Sequence, residues 1–317
     1  AFGGKIDLFP YEFCAAYLSM KTGRPVKFEL DREEVFMTTR QRHPIIVKIK
    51  TGVKKDGTIL AQDIRVIADN GGYRGSGPVV IFLCHGFSFP VYHVPNYRYE
   101  GFSIYTNNGI RGPQRGHGAP QIRFAIDSHL DLIARDLGLD PLEIMRKNVR
   151  KEGDILPNGD QLNSCGLTEC LTGAAEAIDW QKKRRQFKTT ENGSRYRRGV
   201  GISLCAMFSG AMYYPFASAA VVKLHDDGSA TLFTGAQDIG QGSYTTLTQV
   251  LAEELGIGIE DVQVVAGDTE LCPIDLGSFL SCTALVTGNA VKQAAADAKR
   301  QLLASAAELL GVEDPAK

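Results

Sequence analysis

Four times along this chain, a glycine-rich turn leads directly into a segment with helical periodicity. The turns are FGGK at 2–5, RGHGAP at 115–120, DIGQGS at 238–243 and DLGSFLSCT at 275–283. Glycines let successive backbone N–H groups converge, and the N-terminus of the following helix adds partial positive charge. Such loops bind phosphates and other anions with few cationic side chains. Every helix must begin somewhere, but four such loops in one chain, one of them containing Arg115, predict a shared polyanionic ligand.

Strand signals in the chain come in pairs. Alternating apolar residues flank Asp56-Gly57 in the first half of the chain and Asp227-Gly228 in the second half. An Asp-Gly turn between two alternating segments is a strong hairpin signal. The sequence therefore predicts one β-hairpin in each half.

Helix signals separate the two hairpins. The segment 121–137 has an apolar face and ends before Gly138, a C-cap signal, and Asp140 followed by proline opens a second helix. Hairpins alternating with helices predict an α+β fold of two lobes, each an antiparallel or mixed sheet with flanking helices. The predicted lobes are 1–155 and 156–317.

The composition argues against several classes of protein. The 317 residues carry a net charge of −1, which gives no overall attraction to nucleic acid or an anionic membrane. No apolar run approaches the roughly 18 residues of a membrane span. The seven cysteines are scattered and odd in number, which suits reduced thiols in a cytoplasm. The chain begins at Ala1 inside a glycine turn, so we expect a fragment or a processed subunit.

The usual motifs for phosphate, nucleotide and metal are missing from the sequence. It contains no GxxxxGK[ST] P-loop, no GxGxxG after a strand, no serine nucleophile elbow and no HExxH. The residues alone therefore indicate a split anion site. They leave open an unrelated protein that binds a phosphate metabolite.

The same turns and their surroundings resemble the large subunit of the molybdenum hydroxylases, the family of xanthine oxidase, aldehyde oxidoreductase and 4-hydroxybenzoyl-CoA reductase. Six motifs occur in the family's order: AFGGK at 1–5, TGRPVKFELDREE at 22–34, RGHGAPQ at 115–121, GLDPLEIMRKNV at 138–149, DIGQGS, and GSFLS…TGNAV. The resemblance implies molybdenum bound to molybdopterin, which bacteria often extend to a cytosine dinucleotide. It also implies iron–sulfur and flavin partners, the remaining segments of the large subunit, and an oligomer in the complete enzyme.

The resemblance further implies roles near the metal. Phe2 and Gly3 match the loop beside molybdenum, where a glycine lets the backbone approach an oxygen ligand. Arg115 matches the arginine of RGxG, whose guanidinium can stabilise developing negative charge. The alternative for Arg115 is an ordinary loop arginine paired with a carboxylate, and Arg111 is expected at the rim. The pterin dithiolene holds the metal, so no side chain of this chain is expected to bind it.

The remaining matched positions are expected to contact the cofactor. They lie in the four glycine-rich turns, where backbone N–H groups, hydroxyls and one amide face the ligand. The predicted cofactor-binding residues are Gly3, Gly4, Gly116, Gly240, Gln241, Gly242, Ser243, Ser278, Ser281 and Thr283.

Departures from the purine-oxidising members affect the expected substrate. His117 replaces a substrate-stacking phenylalanine, and Leu83 stands where those enzymes carry a substrate arginine. Gly210 lies near the second stacking phenylalanine, for which Tyr213 or Tyr214 could substitute. We therefore predict His117 and Tyr213 as substrate contacts, and an aromatic acid, aromatic thioester or aldehyde rather than xanthine.

Other family features are missing from the sequence. The family's glutamate general base comes from a GEPP-like turn far towards the C-terminus, and this chain lacks that turn. The resemblance therefore implies that the second lobe, 156–317, is incomplete at its C-terminus. The chain also has no cysteine pattern for 2Fe–2S clusters and no flavin motif. We expect a molybdenum-dependent oxidoreductase whose isolated chain is inactive. A non-catalytic fragment or assembly domain is the alternative.

Overall fold

The computed structural model describes residues 3–5, 8–188, 195–207, 209–210 and 217–312. The chain forms two compact units, Ala1–Met207 and Phe208–Lys317, which we call unit 1 and unit 2.

Unit 1 is built around a three-stranded mixed sheet. Strand β2 pairs antiparallel with β3, β3 pairs parallel with β4, and α3 connects β3 to β4. A short parallel pair, β1 with β5, lies outside this sheet. The elements are α1 Pro10–Thr22, α2 Arg32–Thr38, β1 Gln41–Arg42, β2 Ile45–Val53, β3 Ile59–Gly71, α3 Gly77–Ser88, β4 Asn96–Tyr105, β5 Arg111–Gly112, α4 Ala119–Leu137, α5 Pro141–Asn148, α6 Leu167–Ala177 and α7 Trp180–Lys188.

Unit 2 repeats the same order of pairing. Strand β6 pairs antiparallel with β7, β7 pairs parallel with β8, and α8 connects β7 to β8. The elements are β6 Ala220–Leu224, β7 Ala230–Thr234, α8 Ser243–Leu255, a 3-10 turn Ile259–Asp261, β8 Val262–Ala266, a π-helical turn Thr283–Thr287 and α9 Gly288–Leu310. The predicted α+β class with mixed sheets is therefore confirmed.

Both predicted hairpins form. The N–H of Gly57 donates to the Lys54 carbonyl (2.9 Å) between β2 and β3, and the N–H of Gly228 donates to the His225 carbonyl (3.1 Å) between β6 and β7. The same local chemistry thus builds the first two strands of each unit.

Each sheet buries one face against helices. In unit 1, Ile64 of β3 and Ile122 and Ile126 of α4 are fully buried, and in unit 2 Leu232 of β7 packs with Leu247 of α8. Full burial of such a side chain contributes about 1.5–3 kcal/mol to folding. The sheet and helix cores therefore fix where the glycine-rich turns emerge.

The division between the units falls later than the boundary at 155/156 expected from the sequence. Helix α6 contacts α5, and the Trp180 indole at the start of α7 donates to Asp140 Oδ1 (3.0 Å). Asp140 also caps α5, because its Oδ1 accepts from the Leu142 N–H (2.9 Å). These contacts place α6 and α7 in unit 1.

Within the described residues, no helix is long and apolar enough to cross a membrane.

Candidate functional site

The RGHG turn of unit 1 joins β5 to α4 in a left-handed conformation. Gly116 and Gly118 have φ of +96° and +93°, and His117 between them has φ of +44°. A Cβ on Gly118 would lie 2.7 Å from Cys84 Sγ and 2.8 Å from the Val80 carbonyl oxygen on α3. Only glycine permits both this conformation and this close approach.

Arg42 at the end of β1 holds the turn in place. Its Nη2 donates to the Arg115 carbonyl (3.1 Å) and its Nη1 to Gln121 Oε1 (3.3 Å) in the first turn of α4. The Arg115 side chain is exposed, and it has no hydrogen-bond or ion-pair partner among the described residues. The backbone of Arg115 is thus anchored while its guanidinium stays available, which differs from a loop arginine paired with a carboxylate.

Arg111 is not a rim residue, and the expectation from the sequence is wrong. Its side chain is only 12% exposed, because β5 pairs with β1 and draws it inward. Its Nε lies 3.7 Å from Asp69 Oδ2, and its Nη1 donates to Gln41 Oε1. Arg111 is therefore a largely buried arginine with a structural role.

His117 has a lowered pKa in the folded chain. Burial is the main cause, and the positive charge of Arg42 adds to it. Both effects disfavour the imidazolium. His117 is therefore a neutral imidazole near pH 7.

The first glycine turn does not supply a free helix N-terminus. Gly3 lies against Pro113, two residues before the RGHG turn, since a Cβ on Gly3 would be 2.7 Å from the Pro113 carbonyl oxygen, and Gly4 follows it in the same turn. Helix α1 begins only at Pro10, and Glu12 Oε2 accepts from the Phe9 N–H (2.7 Å) at its start. The prediction of an open anion-binding helix end is wrong here, because the chain's own carboxylate occupies it. Phe2 lies outside the described residues.

The DIGQGS turn of unit 2 also contains its own anion. Asp238 Oδ1 accepts from the N–H groups of Gly240 (2.7 Å) and Gly242 (3.4 Å). These backbone donors, led by Gly240, hold the pKa of Asp238 below its usual range. The sequence interpretation missed Asp238, although an aspartate two residues before a glycine is a known local turn signal.

Gln241 lies exposed at the tip of the same turn. Its Oε1 accepts from the Ile239 N–H (2.7 Å) and its Nε2 donates to the Gln237 carbonyl (3.0 Å). A primary amide has two donors and two acceptor lone pairs, so one of each remains for a ligand. Gly240 and Gly242 leave open space beside it, because a Cβ at either position would have no atom within 4 Å.

The two glycine turns of unit 2 meet at one carbonyl oxygen. The Gln237 carbonyl accepts from Ser243 Oγ (3.3 Å) and from Ser278 Oγ (2.7 Å), in addition to Gln241. The fold therefore brings Gln241, Ser243 and Ser278 together, although Ser278 is distant from the others in sequence. Nothing in the local sequence around Gln237 marks this role.

Asp275 fixes the last turn. Its Oδ2 accepts from Ser218 Oγ (2.7 Å) and Thr287 Oγ1 (2.8 Å), and its Oδ1 accepts from the Gly277 N–H (2.8 Å). Asp275 was not predicted from the sequence, because Ser218 and Thr287 reach it only in the folded chain.

The far end of this turn has an unusual backbone. Leu280 and Ser281 have positive φ values of 49° and 53°, and the Ser281 carbonyl accepts from Ser209 Oγ (3.2 Å). Thr283 begins the π-helical turn before α9 and is half-buried. Tyr213, the other predicted substrate contact, lies outside the described residues.

The helices that begin at these turns differ from ordinary capped helices. Asp31 accepts from the Glu34 N–H at the start of α2, and Asp140 accepts from the Leu142 N–H at the start of α5. Helices α4 and α9 have no side-chain cap and no acidic residue in the first turn. The start of α4 therefore keeps its partial positive charge directed at the RGHG turn. Helix α9 instead continues from the π-helical turn, because the N–H of its first residue, Gly288, donates to the Thr283 carbonyl.

The described residues contain no group of three or more His, Cys, Asp or Glu side chains placed to hold a metal ion. Binding of the metal by the cofactor alone stays a prediction. The chemistry that the site offers is cationic, amide and hydroxyl recognition of an anionic ligand.

Comparison with known proteins agrees with this chemistry. Two family models, each described as a molybdopterin cofactor-binding domain, match residues 1–149 and 173–316. A xanthine dehydrogenase molybdenum-binding subunit from Escherichia coli is 36% identical over 317 residues, which cover 98% of this chain and 41% of the relative. The chain thus spans less than half the length of this relative.

Two solved structures share the fold. Aldehyde oxidoreductase from Desulfovibrio gigas superposes with a TM-score of 0.83 at 29% identity, over 94% of this chain and 32% of that one. CO dehydrogenase from Oligotropha carboxidovorans superposes with a TM-score of 0.85 at 26% identity, over 99% of this chain and 41% of that one. These matches exclude an unrelated phosphate-binding protein. The chain belongs to the molybdenum hydroxylase family, as the molybdopterin-binding part of the large subunit.

Proposed function

We propose that this chain binds molybdopterin through the turns at 115–118, 240–243 and 278–283, within an enzyme that acts on an aromatic acid, an aromatic thioester or an aldehyde. Membership of a family of molybdenum oxidoreductases supports the cofactor and the reaction class. The residue roles and the substrate class rest on the arguments below.

The observation that carries the proposal is the RGHG turn. Arg42 fixes the backbone at Arg115, the Arg115 guanidinium is exposed and unpaired among the described residues, and α4 begins behind it without a side-chain cap. Cationic donors and an uncapped helix N-terminus both favour an anionic ligand. The Arg115 side chain could bind such a ligand without first breaking an ion pair to another described residue.

The turns of unit 2, taken by themselves, fit the polar parts of molybdopterin. Gln241 retains one free donor and one free acceptor, and the backbone at Gly240 and Gly242 is open to a close approach. Asp238 already occupies the N–H groups of this turn. We therefore assign hydrogen bonding to Gln241, Ser278, Ser281 and Thr283 rather than phosphate binding to the α8 N-terminus.

When bound, molybdopterin with its metal supplies the two-electron redox chemistry of the reaction. The residues of this chain orient the cofactor and the substrate. Arg115 stabilises negative charge that grows during the reaction, as a preorganised donor. Gly3 lies close to Pro113, two residues before the RGHG turn, and we assign Phe2 a place beside the metal from its match to the family motif alone.

The substrate class follows from the environment of His117. The N–H of a neutral imidazole can donate a hydrogen bond to a carboxylate, thioester or aldehyde oxygen, whereas a stacking phenylalanine cannot. Leu83, where purine enzymes carry an arginine, is buried in α3. Tyr213 is assigned as the second substrate contact from its match alone.

We further propose that the electrons pass to iron–sulfur and flavin partners and that the cofactor is the cytosine dinucleotide form. The test is to purify the enzyme with its partner chains, measure molybdenum by mass spectrometry, and release the nucleotide with acid. The expected result is molybdenum in stoichiometric amount together with CMP.

Two outcomes would contradict these assignments separately. An enzyme that purifies with its partners but without molybdenum is a non-catalytic scaffold. An enzyme with molybdenum but without CMP contains unextended molybdopterin, which refutes only the dinucleotide.

A further inference from the structure

The outward side of α1 is apolar. Phe13, Tyr17 and Met20 recur at i, i+4 and i+7 and therefore share one side of the helix. Their exposed fractions are 62%, 63% and 84%. We call these three residues the α1 outer face.

The opposite side of α1 already packs on unit 1. Tyr11, Ala15 and Ser19 are half-buried, and the Tyr11 ring stacks on Phe9 (5.1 Å between centroids) and Phe28 (5.7 Å). The α1 helix is thus apolar on both sides. Helices that are apolar all round are buried on all sides in the complete protein.

Helix α2 also exposes apolar side chains. No residue of α1 or α2 is buried, and Phe36 and Met37 of α2 are 65% and 73% exposed. Exposed apolar surfaces of this kind mark sites where other polypeptide docks.

We propose that the α1 outer face is the docking surface for the remaining part of a molybdenum hydroxylase large subunit. The Escherichia coli relative matches this chain over 98% of its residues but only 41% of its own length, so more than half of such a subunit lies outside the match. The three side chains of the α1 outer face are apolar or aromatic, and the charged group beside them is the Lys21 ammonium, 6.0 Å from the Tyr17 ring centroid. Such a surface suits a mainly apolar polypeptide segment and not a small charged ligand. The inference rests on the proposed function, in which this chain works within a large subunit.

The chain contains a matched pair of thiols that reports on this face. Cys14 is exposed beside Phe13, one turn before Tyr17, and Cys170 is exposed on α6. Alkylation of a thiol requires access to its sulfur. Cys170 therefore serves as an internal control for Cys14 in a single sample.

The experiment is iodoacetamide labelling of the native enzyme, followed by mass spectrometry, with urea-unfolded enzyme as the reference. Relative to the unfolded reference, we expect Cys14 to react about tenfold or more slowly than Cys170, because docked polypeptide blocks access to its sulfur. A photoreactive variant, Tyr17→p-benzoylphenylalanine, then identifies the covering segment. The expected cross-linked peptide comes from the part of the large subunit outside the matched region.

Three results would overturn the proposal: labelling of Cys14 as fast as that of Cys170, a cross-link to a second copy of this chain, or a cross-link to an iron–sulfur or flavin subunit. Molybdenum is measured in the same sample. Protected Cys14 without molybdenum contradicts the proposed function and leaves the docking surface standing. Molybdenum in the sample together with a freely reactive Cys14 contradicts the docking surface and leaves the proposed function standing.

Discussion

Arg111 and Arg115 are four residues apart in sequence, but the side chain of Arg111 is largely buried and that of Arg115 is exposed. Arg111 lies in β5, and its side chain turns inward against Asp69 and Gln41. Arg115 follows the strand, and its guanidinium faces outward. A substitution at Arg111 would therefore disturb the fold as well as the site, so it cannot serve as a control for Arg115.

Replacing Arg115 tests the proposed catalytic role. If its guanidinium stabilises charge in the transition state, Arg115→Ala should slow reduction of the metal by substrate about 10²-fold in single-turnover kinetics. Arg115→Lys should recover only part of the rate, because an ammonium lacks the planar fork of donors. The measurement is made at equal molybdenum content.

The matched control is Arg135→Ala on the same helix α4. The Arg135 side chain is 72% exposed and pairs with the neighbouring, equally exposed Asp136, so this variant should reduce the metal at the normal rate. Equal rates for Arg115→Ala and Arg135→Ala would show that the RGHG turn is purely structural.

At the scale of the element, α4 combines the open N-terminus of the site with a buried ion pair. Arg123 and Asp127 are 4% and 6% exposed and contact each other one turn apart. Asp127 also accepts from Tyr92 Oη (3.0 Å), from Ser203 Oγ and from the Leu204 N–H (3.2 Å). This network ties α4 to the segment that ends unit 1.

Removing Asp127 should destabilise unit 1 strongly. Asp127→Ala leaves the Arg123 charge buried without its carboxylate, which costs about 3–5 kcal/mol of unfolding free energy. Urea unfolding followed by fluorescence of the single tryptophan, Trp180 in unit 1, measures this change.

The matched control is Asp131→Ala, one turn further along α4. Asp131 is 52% exposed and lies 3.9 Å from Arg184, so its loss should change the free energy of unfolding by less than about 1 kcal/mol. If both variants unfold at the same urea concentration, the Asp127 network does not hold the helix.

At the scale of the whole molecule, four histidines of unit 1 make folding sensitive to mild acid. Burial lowers the pKa of His43, His85, His117 and His129 below the ordinary value of 6.5. Below pH 6.5 the unfolded chain binds more protons than the folded chain, so stability falls as the pH falls. The stabilisation is fully present above pH 6.5 and is lost as the pH drops through the folded pKa values.

We therefore expect the urea midpoint of unit 1 to fall between about pH 7.5 and about pH 5.5, well above the range where carboxylates titrate. His43→Gln should flatten this dependence, because His43 is 2% exposed and cannot be protonated without cost. An unchanged midpoint over this range in the unsubstituted chain would contradict the assignment of buried neutral imidazoles.

Local chemistry let the sequence predict the repeated elements. An Asp-Gly turn between alternating segments, a proline after Asp140 and a glycine after Leu137 each act within a few residues, and the structure confirms all three. The left-handed backbone of the RGHG and DIGQGS turns could likewise be predicted, because glycine adopts positive φ without steric cost.

The tertiary structure decided what each turn can bind. Whether the N–H groups at a helix N-terminus stay free depends on where a carboxylate folds back, and Glu12 and Asp238 accept from backbone N–H groups at two of the predicted turns. Whether an arginine is free depends on strand pairing, which buries Arg111 and exposes Arg115. The meeting of Ser243 and Ser278 at the Gln237 carbonyl joins positions far apart in sequence. Such contacts form only when the chain packs, because a side chain's partners are set by the burial of whole elements and not by its neighbours in sequence.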